Sequence, residues 1–140
     1  MPLRITSRGA LLRGYRSGLE DKISEQISKA ELKVCYETDK IKYTHPPRTS
    51  TYTPDFKLPK IGGFFYVETK GRFVTADRQK HLLIKQQHPE LDIRFVFSNA
   101  NSKIYKGSKT SYSDFCRANG FKFAHKSIPE DWLKEGEPYD

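Results

Sequence analysis

The feature that most restricts the fold of this chain is a pair of strand-like segments near its centre. TYTPDFKL (51–58) and FFYVETK (64–70) are rich in aromatic and β-branched residues, and PKIGG (59–63) between them is rich in turn residues. Such an arrangement predicts a β-hairpin. The second segment opens with four apolar residues in succession, which is typical of a central strand of a sheet.

Each of the two segments carries a carboxylate, Asp55 in the first and Glu68 in the second, and Lys70 follows two residues later. Alternation along a strand places Glu68 and Lys70 on one face, about 7 Å apart, and Asp55 can lie opposite them. An unpartnered carboxylate inside a sheet is costly, so a metal ion is its natural partner. Carboxylates that hold a divalent metal beside a cation are what phosphodiester cleavage requires. Taken singly, Asp55 could be a turn cap and Glu-x-Lys a solvated face.

The other elements follow from apolar spacing and from end signals. Ser17 and Glu20 stand at capping-box spacing at the start of a predicted helix over 17–32. In chain order we then expect one or two strands over 33–44, a helix over 75–88, a strand over 92–98, a helix over 111–120 that ends at Gly120, and a strand over 121–124. We expect Thr75 to cap the helix over 75–88, and the succession Leu82, Leu83 and Ile84 predicts that this helix is buried on more than one side. The predicted fold is α/β, a mixed sheet flanked by helices.

Length and charge suggest one domain with an anionic partner. The 140 residues carry a net charge of +8, with four arginines and no acid in residues 1–16 and five acids in residues 130–140. We expect a flexible basic arm over 1–16, a single domain over 17–135 and an acidic, solvated tail over 136–140. A basic excess of this size favours nucleic acid as the partner.

Several function classes are disfavoured by what the sequence lacks. No apolar run reaches the length of about 18 residues that a membrane span needs, and the start MPLRITSRG does not resemble a secretory signal. We therefore expect a soluble, intracellular protein with no membrane partner. Cys35, Cys116 and the four histidines form no zinc-binding pattern, and both cysteines are expected to be reduced packing residues.

The carboxylates and the lysine also carry a resemblance. Pro54-Asp55 followed by Glu68-Thr69-Lys70 resembles the PD-(D/E)xK nuclease signature. From about residue 14 to 135 the chain resembles endonuclease I of short-tailed bacteriophages, a family that resolves four-way DNA junctions. The segments that carry this likeness are RSGLEDK (16–22), YTPDF (52–56), VETKG (67–71), KHLLI (80–84), QHPELDIR (87–94), VFS (96–98) and YKGS (105–108).

The resemblance implies a restriction-endonuclease-like core and roles for individual residues. Asp55, Glu68 and the Thr69 carbonyl would hold one divalent metal, Mg²⁺ with Mn²⁺ as a substitute. Glu20 would complete the acidic set near a second metal, although from the residues alone a capping role for Glu20 is the simpler reading. Lys70 would contact the nucleophilic water or the phosphate.

The resemblance also implies a homodimer whose chains exchange elements, so that Glu20 of one chain joins Asp55, Glu68 and Lys70 of the other. The segment 44–51, with its stiff Pro-Pro pair, fits such a crossover. The expected function is resolution of four-way junctions and other branched DNA in the cytoplasm of the infected bacterial host. A sequence-specific restriction-like nuclease, an RNase on the same fold and a non-catalytic DNA-binding module are the alternatives.

Three groups of basic residues are candidates for DNA binding, with a merely solvated surface as the alternative for each. The first group is the N-terminal arm, the second is one face of the helix over 75–88, and the third is the loop around IYKGSK. Their members are Arg4, Arg8, Arg13 and Arg16; Arg78, His81 and Lys85; and Lys103, Lys106 and Lys109.

Overall fold

The computed structural model describes residues 17–45 and 47–137. The helices are α1 (Gly18–Lys29), α2 (Thr75–Gln87), α3 (Tyr112–Asn119) and α4 (Glu130–Leu133). The strands are β1 (Ile41–His45), β2 (Arg48–Tyr52), β3 (Phe56–Lys60), β4 (Gly63–Lys70), β5 (Ile93–Phe97) and β6 (Lys122–His125). No helix among these residues is long and apolar enough to cross a membrane.

The central sheet has four strands in the order β3-β4-β5-β6. β3 and β4 pair antiparallel, whereas β4 with β5 and β5 with β6 pair parallel. The predicted mixed sheet flanked by helices is therefore confirmed. β4 lies between two neighbours, as its apolar start indicates.

Helices cover both faces of this sheet. On one face, Phe65 and Val67 of β4 pack with Ile23 and Ile27 of α1 and with Trp132 of α4. On the other face, Phe95 and Phe97 of β5 pack against α3, and Ile93 packs against α2. Because side chains alternate along β4, Glu68 and Lys70 point to the α2 face, away from α1.

The predicted hairpin of β3 and β4 is present, with different bounds. Pro59 and Lys60 belong to β3, and Lys60 pairs with Gly63, so that only Ile61 and Gly62 form the turn. Gly62 has φ +84°, a backbone conformation that favours glycine. Pro59 is tolerated because β3 is an edge strand of the sheet. Asp55 lies one residue before β3 and not within a strand.

The segment predicted as one or two strands over 33–44 is mostly irregular. Regular pairing begins only at Ile41, and Tyr36 forms a single isolated bridge with Phe56. β1 and β2 then pair antiparallel as a separate hairpin, from Ile41 opposite Tyr52 to His45 opposite Arg48. In the described chain the segment 44–51 thus contributes to a hairpin, and its exchange between two chains stays a prediction.

Two expectations for α2 are wrong. Thr75 is the first helical residue and not the cap, because Val74 occupies the N-cap position. The Thr75 hydroxyl accepts a hydrogen bond from the Arg78 guanidinium at 2.9 Å. The side that faces the sheet consists of Arg78, His81 and Ile84, whereas Leu82 is exposed. The helix is therefore buried on one side only.

The acidic end of the chain is less solvated than its composition indicates. Arg94, fully buried in β5, donates hydrogen bonds to Asp92 and to Glu135, and its guanidinium lies over the Phe65 and Trp132 rings. This ion pair draws residues 130–135 onto the sheet. Residues 138–140, the end of the predicted tail, lie outside the described residues.

Candidate active site

The carboxylate of Glu68 and the amine of Lys70 meet at the end of β4. Their nearest charged atoms, Lys70 Nζ and Glu68 Oε2, are 3.6 Å apart, and Lys70 Nζ also lies 3.4 Å from Asp77 of α2. Glu68 is only 6 % exposed. The hydroxyl of Tyr52, itself buried at the end of β2, donates a hydrogen bond to Glu68 Oε1 at 2.8 Å. Glu68 is thus oriented by a tyrosine on one side and a lysine on the other.

Asp55 lies across from β4 in the segment that leads into β3. Its Oδ2 accepts hydrogen bonds from the backbone N–H of Thr69 at 2.9 Å and from the Thr69 hydroxyl at 2.8 Å. The backbone N–H of Asp55 in turn donates to Glu68 Oε1 at 3.4 Å. Thr69 therefore holds the Asp55 side chain, and a ligand role for its carbonyl stays a prediction.

Glu20 approaches Asp55 from α1. Ser17 caps this helix, because its hydroxyl accepts from the Glu20 N–H at 3.1 Å, as the sequence predicts. The Glu20 carboxylate accepts hydrogen bonds from the Ser17 hydroxyl at 3.1 Å and from the hydroxyl of Tyr36. Glu20 is buried. In the described chain Glu20 and Asp55 converge within a single chain.

Glu37 is a fourth carboxylate, which sequence reasoning missed. Single oxygens of Glu20, Glu37 and Asp55 all lie within 4.8 Å of one another. Glu37 has φ +51°, and its N–H donates to the Asp55 carbonyl at 2.8 Å. A non-glycine residue in this conformation is uncommon, and no pattern in KVCYETDK signals it, so only the folded chain reveals how Glu37 is aimed.

Burial and mutual repulsion dominate the electrostatics of this group. Burial raises the pKa of Glu68 to about 8, and the charge of Asp55 adds to the rise against the opposing effects of Lys70 and Tyr52. Burial likewise raises the pKa of Asp55 and of Glu20, each moderated by its hydrogen bonds. The carboxylates also keep Lys70 protonated: burial alone would lower its pKa, but Glu68, Asp77 and Asp55 raise it.

These donors fit a divalent cation. Hard cations such as Mg²⁺ take oxygen ligands from carboxylates and backbone carbonyls, and the group presents several carboxylates whose ionised forms are held unfavourably close. A bound cation would relieve that repulsion. Carboxylates beside a lysine at the end of a central strand are the arrangement that metal-assisted hydrolysis of a phosphodiester uses.

The basic stripe predicted on α2 is not formed on the surface. His81 has no exposed area, and Arg78 is buried with hydrogen bonds to the Phe73 carbonyl at 2.6 Å and the Ile104 carbonyl at 3.1 Å. Lys85 lies over the Phe121 ring and donates to the Gly120 carbonyl. Spacing placed Arg78 and His81 on one face correctly, but that face packs on the sheet, so these two residues cannot take part in a phosphate stripe. Lys85 is half-buried, and its contact with DNA stays a prediction.

The other predicted DNA-binding residues are either exposed or outside the described residues. The loop lysines Lys103, Lys106 and Lys109 are all exposed. The arginines of the N-terminal arm, Arg4, Arg8, Arg13 and Arg16, lie outside the described residues.

Comparison with known proteins shows the family to which this chain belongs. The family model of phage endonuclease I matches residues 1–138, and the chain therefore belongs to this family of phage nucleases. It is 54 % identical over 129 residues to Endonuclease I of Escherichia phage T7, covering 90 % of this chain and 85 % of that protein. It is 51 % identical over 131 residues to Endodeoxyribonuclease 1 of Enterobacteria phage T3, covering 91 % of this chain and 84 % of that protein.

Proposed function

We propose that this chain is a Mg²⁺-dependent endodeoxyribonuclease that cuts branched DNA, four-way junctions above all. The observation that carries the proposal is a carboxylate cluster of Glu20, Glu37 and Asp55 in a chain that belongs to the phage endonuclease I family. Asp55 links this cluster to Glu68, which accepts a hydrogen bond from the Asp55 N–H and lies beside Lys70. Its relatives are named as an endonuclease and an endodeoxyribonuclease, which favours DNA over RNA as the substrate.

Two groups of oxygens would hold the metal. Asp55 and Glu68, with the Thr69 carbonyl, form one ligand group, and Glu20, Glu37 and Asp55 form the other. When bound, Mg²⁺ supplies a nucleophilic water at neutral pH and positive charge at the phosphate oxygens. Mn²⁺ prefers the same ligands and would substitute for it.

The chain's own residues bind and orient the reacting groups. Lys70 presents an ammonium group that remains protonated among carboxylates, so it can hold the attacking water or a phosphate oxygen. Tyr52 and Thr69 fix the directions of Glu68 and Asp55. Glu68, at the end of the buried strand β4, keeps its carboxylate in a site that excludes most water.

The net charge of +8 supports binding to the phosphate backbone. Recognition of a branch depends on shape and not on base sequence. Resolution needs two symmetry-related cuts, which a twofold homodimer with shared active sites would supply. The substrate DNA, and with it the enzyme, would lie in the cytoplasm of the infected host.

One assay tests this function. The chain is incubated with Mg²⁺, a labelled four-way junction and an excess of unlabelled linear duplex with the same arm sequences, and a parallel reaction contains EDTA. We expect paired cuts near the branch that require the metal. Equal cutting of a labelled duplex would instead indicate a restriction-like nuclease, and cutting of an RNA duplex alone would indicate an RNase. Binding with no cutting in any metal would indicate a DNA-binding module.

A further inference from the structure

The loop between β5 and α3 is a well-defined projection. We call residues 99–110 the lysine loop. Its base is closed by backbone hydrogen bonds from Ile104 N–H to the Thr110 carbonyl and from Tyr112 N–H to the Ser102 carbonyl, both 2.9 Å long. A loop with a bonded base displays its tip in a fixed direction.

The tip of the lysine loop is a tight turn that begins at Tyr105. The Ser108 N–H donates to the Tyr105 carbonyl at 3.1 Å, and Gly107 at the third position has φ +88°. A turn with positive φ at its third residue requires glycine or asparagine there. The sequence YKGS therefore specifies how Tyr105 and Lys106 are presented.

Tyr105 is an aromatic side chain open to solvent. It is 62 % exposed and contacts no other ring among the described residues. Phe64 at the β3–β4 turn is 56 % exposed, but the amine of Lys57 covers its ring at 4.4 Å. An uncovered aromatic ring on a rigid loop offers a stacking surface.

The charged residues of the lysine loop are all positive. Lys103, Lys106 and Lys109 are exposed, and the sequence contains no acidic residue between Asp92 and Asp114. The amine of Lys103 donates to the Lys109 carbonyl at 3.4 Å and helps to close the loop. Lys106 and Lys109 are left to face an anionic partner. Aromatic rings combined with cations are how proteins bind exposed bases together with their phosphates.

Arg78 ties the lysine loop to the active site. Its guanidinium donates to the carbonyls of Ile104 and Phe73. Phe73 follows Lys70 by three residues, so the Cα atoms of the two residues are at most about 10 Å apart. One DNA molecule held at Lys70 can therefore reach Tyr105.

We propose that Tyr105 stacks on a base that is exposed at the branch point of the DNA, while Lys106 and Lys109 contact the neighbouring phosphates. This role rests on the proposed function. It distinguishes branched DNA from duplex, because the bases inside a duplex are already stacked on each other and offer no free face to the tyrosine.

The test is a binding measurement without cleavage. The wild-type chain and the Tyr105→Ala, Tyr105→Leu and Tyr105→Phe variants are titrated in EDTA against a labelled four-way junction and a linear duplex of the same arm sequence. We expect Tyr105→Ala and Tyr105→Leu to lower junction affinity by roughly 5- to 150-fold, the range for loss of one stacked base. Tyr105→Phe should retain the junction affinity of the wild type, and none of the three variants should change the affinity for duplex. Phe64→Ala is the matched exposed-aromatic control and should bind as wild type.

The lysines give a second readout. Lys106→Gln should reduce the slope of log affinity against log salt by about 0.9 on both DNAs, the value for one phosphate contact. The matched change at the exposed Lys122 of β6, Lys122→Gln, should reduce the slope less. The stacking role is overturned if Tyr105→Ala binds the junction like wild type, if it weakens both DNAs equally, or if Tyr105→Leu retains affinity. A wild-type chain without junction preference overturns branch recognition as a whole, and metal-dependent cleavage is judged separately by the assay above.

Discussion

Glu68 is the residue on which the proposed chemistry most depends. We expect Glu68→Gln to remove a metal ligand while keeping nearly the same shape, so that cleavage falls by more than the ~100-fold that loss of an outer-shell partner can cost. Junction binding should persist, because the basic surface is unchanged. Cleavage is measured on a labelled junction in Mg²⁺, and binding is measured in EDTA.

Glu90→Gln is a suitable control for this change. Glu90 is a largely exposed carboxylate that follows α2 and lies near His88. It belongs to neither of the two proposed ligand groups. The Glu90→Gln variant should cleave and bind the junction as the wild-type chain does. A Glu68→Gln chain that cleaves at the wild-type rate would remove Glu68 from the mechanism.

Tyr52 is expected to position Glu68. Tyr52→Phe deletes only the hydroxyl that donates to Glu68 Oε1. The freed carboxylate should bind metal less well, and the Mg²⁺ concentration for half-maximal cleavage should rise by about 10-fold or more. The measurement is a Mg²⁺ titration of the cleavage rate, compared with the rate at saturating Mg²⁺.

Tyr66→Phe provides the comparison for Tyr52. Tyr66 also donates to a carboxylate, Asp39, at 2.9 Å, but Asp39 is outside the candidate ligand group. The Mg²⁺ titration of the Tyr66→Phe variant should match that of the wild type. If Tyr52→Phe also matches, the hydroxyl does not orient a metal ligand.

β5 and α4 are joined by charges that sequence spacing cannot reveal. Burial alone would raise the pKa of Asp92, but hydrogen bonds from Arg94 and Lys60 lower it to about 2. A lowered pKa gives stability that is complete above the unfolded value of 3.8 and is lost as pH falls toward 2. The hydrogen bond from Arg94 also lowers the pKa of Glu135, which holds the chain end, so acid should weaken both contacts of Arg94.

Asp92→Asn tests this element directly. Near pH 7 it should lower the free energy of unfolding by about 2 kcal/mol or more, since it leaves Arg94 with Glu135 alone. The difference from wild type should shrink as pH falls below 3.8. Urea unfolding at several pH values measures both effects, with Glu90→Gln, at the largely exposed carboxylate after α2, as the control. A constant difference at all pH values would contradict the linkage.

The whole molecule is expected to work as a dimer with shared sites. We predict that Glu20→Ala and Asp55→Ala chains are each inactive but regain activity when they are refolded together. In a mixed dimer one site combines the intact Glu20 of one chain with the intact Asp55 of the other. With random pairing about a quarter of all sites recover, and the product should be a junction with a single nick.

Asp55→Ala mixed with Glu68→Gln is the control for this experiment, because both changes fall on the same side of the exchange. Every site in that mixture lacks one residue, and no activity should return. If the mixture of Glu20→Ala and Asp55→Ala also stays inactive although mixed dimers form, each site is built within one chain, as Glu20 and Asp55 are in the described chain.

Short-range pattern was sufficient for much of this protein. The period of two in FFYVETK predicts that Glu68 and Lys70 share a face, and the structure has their charged atoms 3.6 Å apart. Ser17 caps α1 as its spacing predicts. The mixed sheet follows from the order of helices and strands. These features depend on residues close together in the sequence, where backbone geometry leaves few choices.

Only the tertiary structure decided which faces and which distant residues meet. α2 has cationic, polar and apolar residues on several sides, and packing on the sheet buried Arg78 and His81. Glu37 reaches the ligand group through a positive φ that no sequence pattern specifies. Arg94 donates hydrogen bonds to Glu135, which lies 41 positions away in the sequence. Local periodicity carries no information about such contacts, because they arise only when the elements pack together.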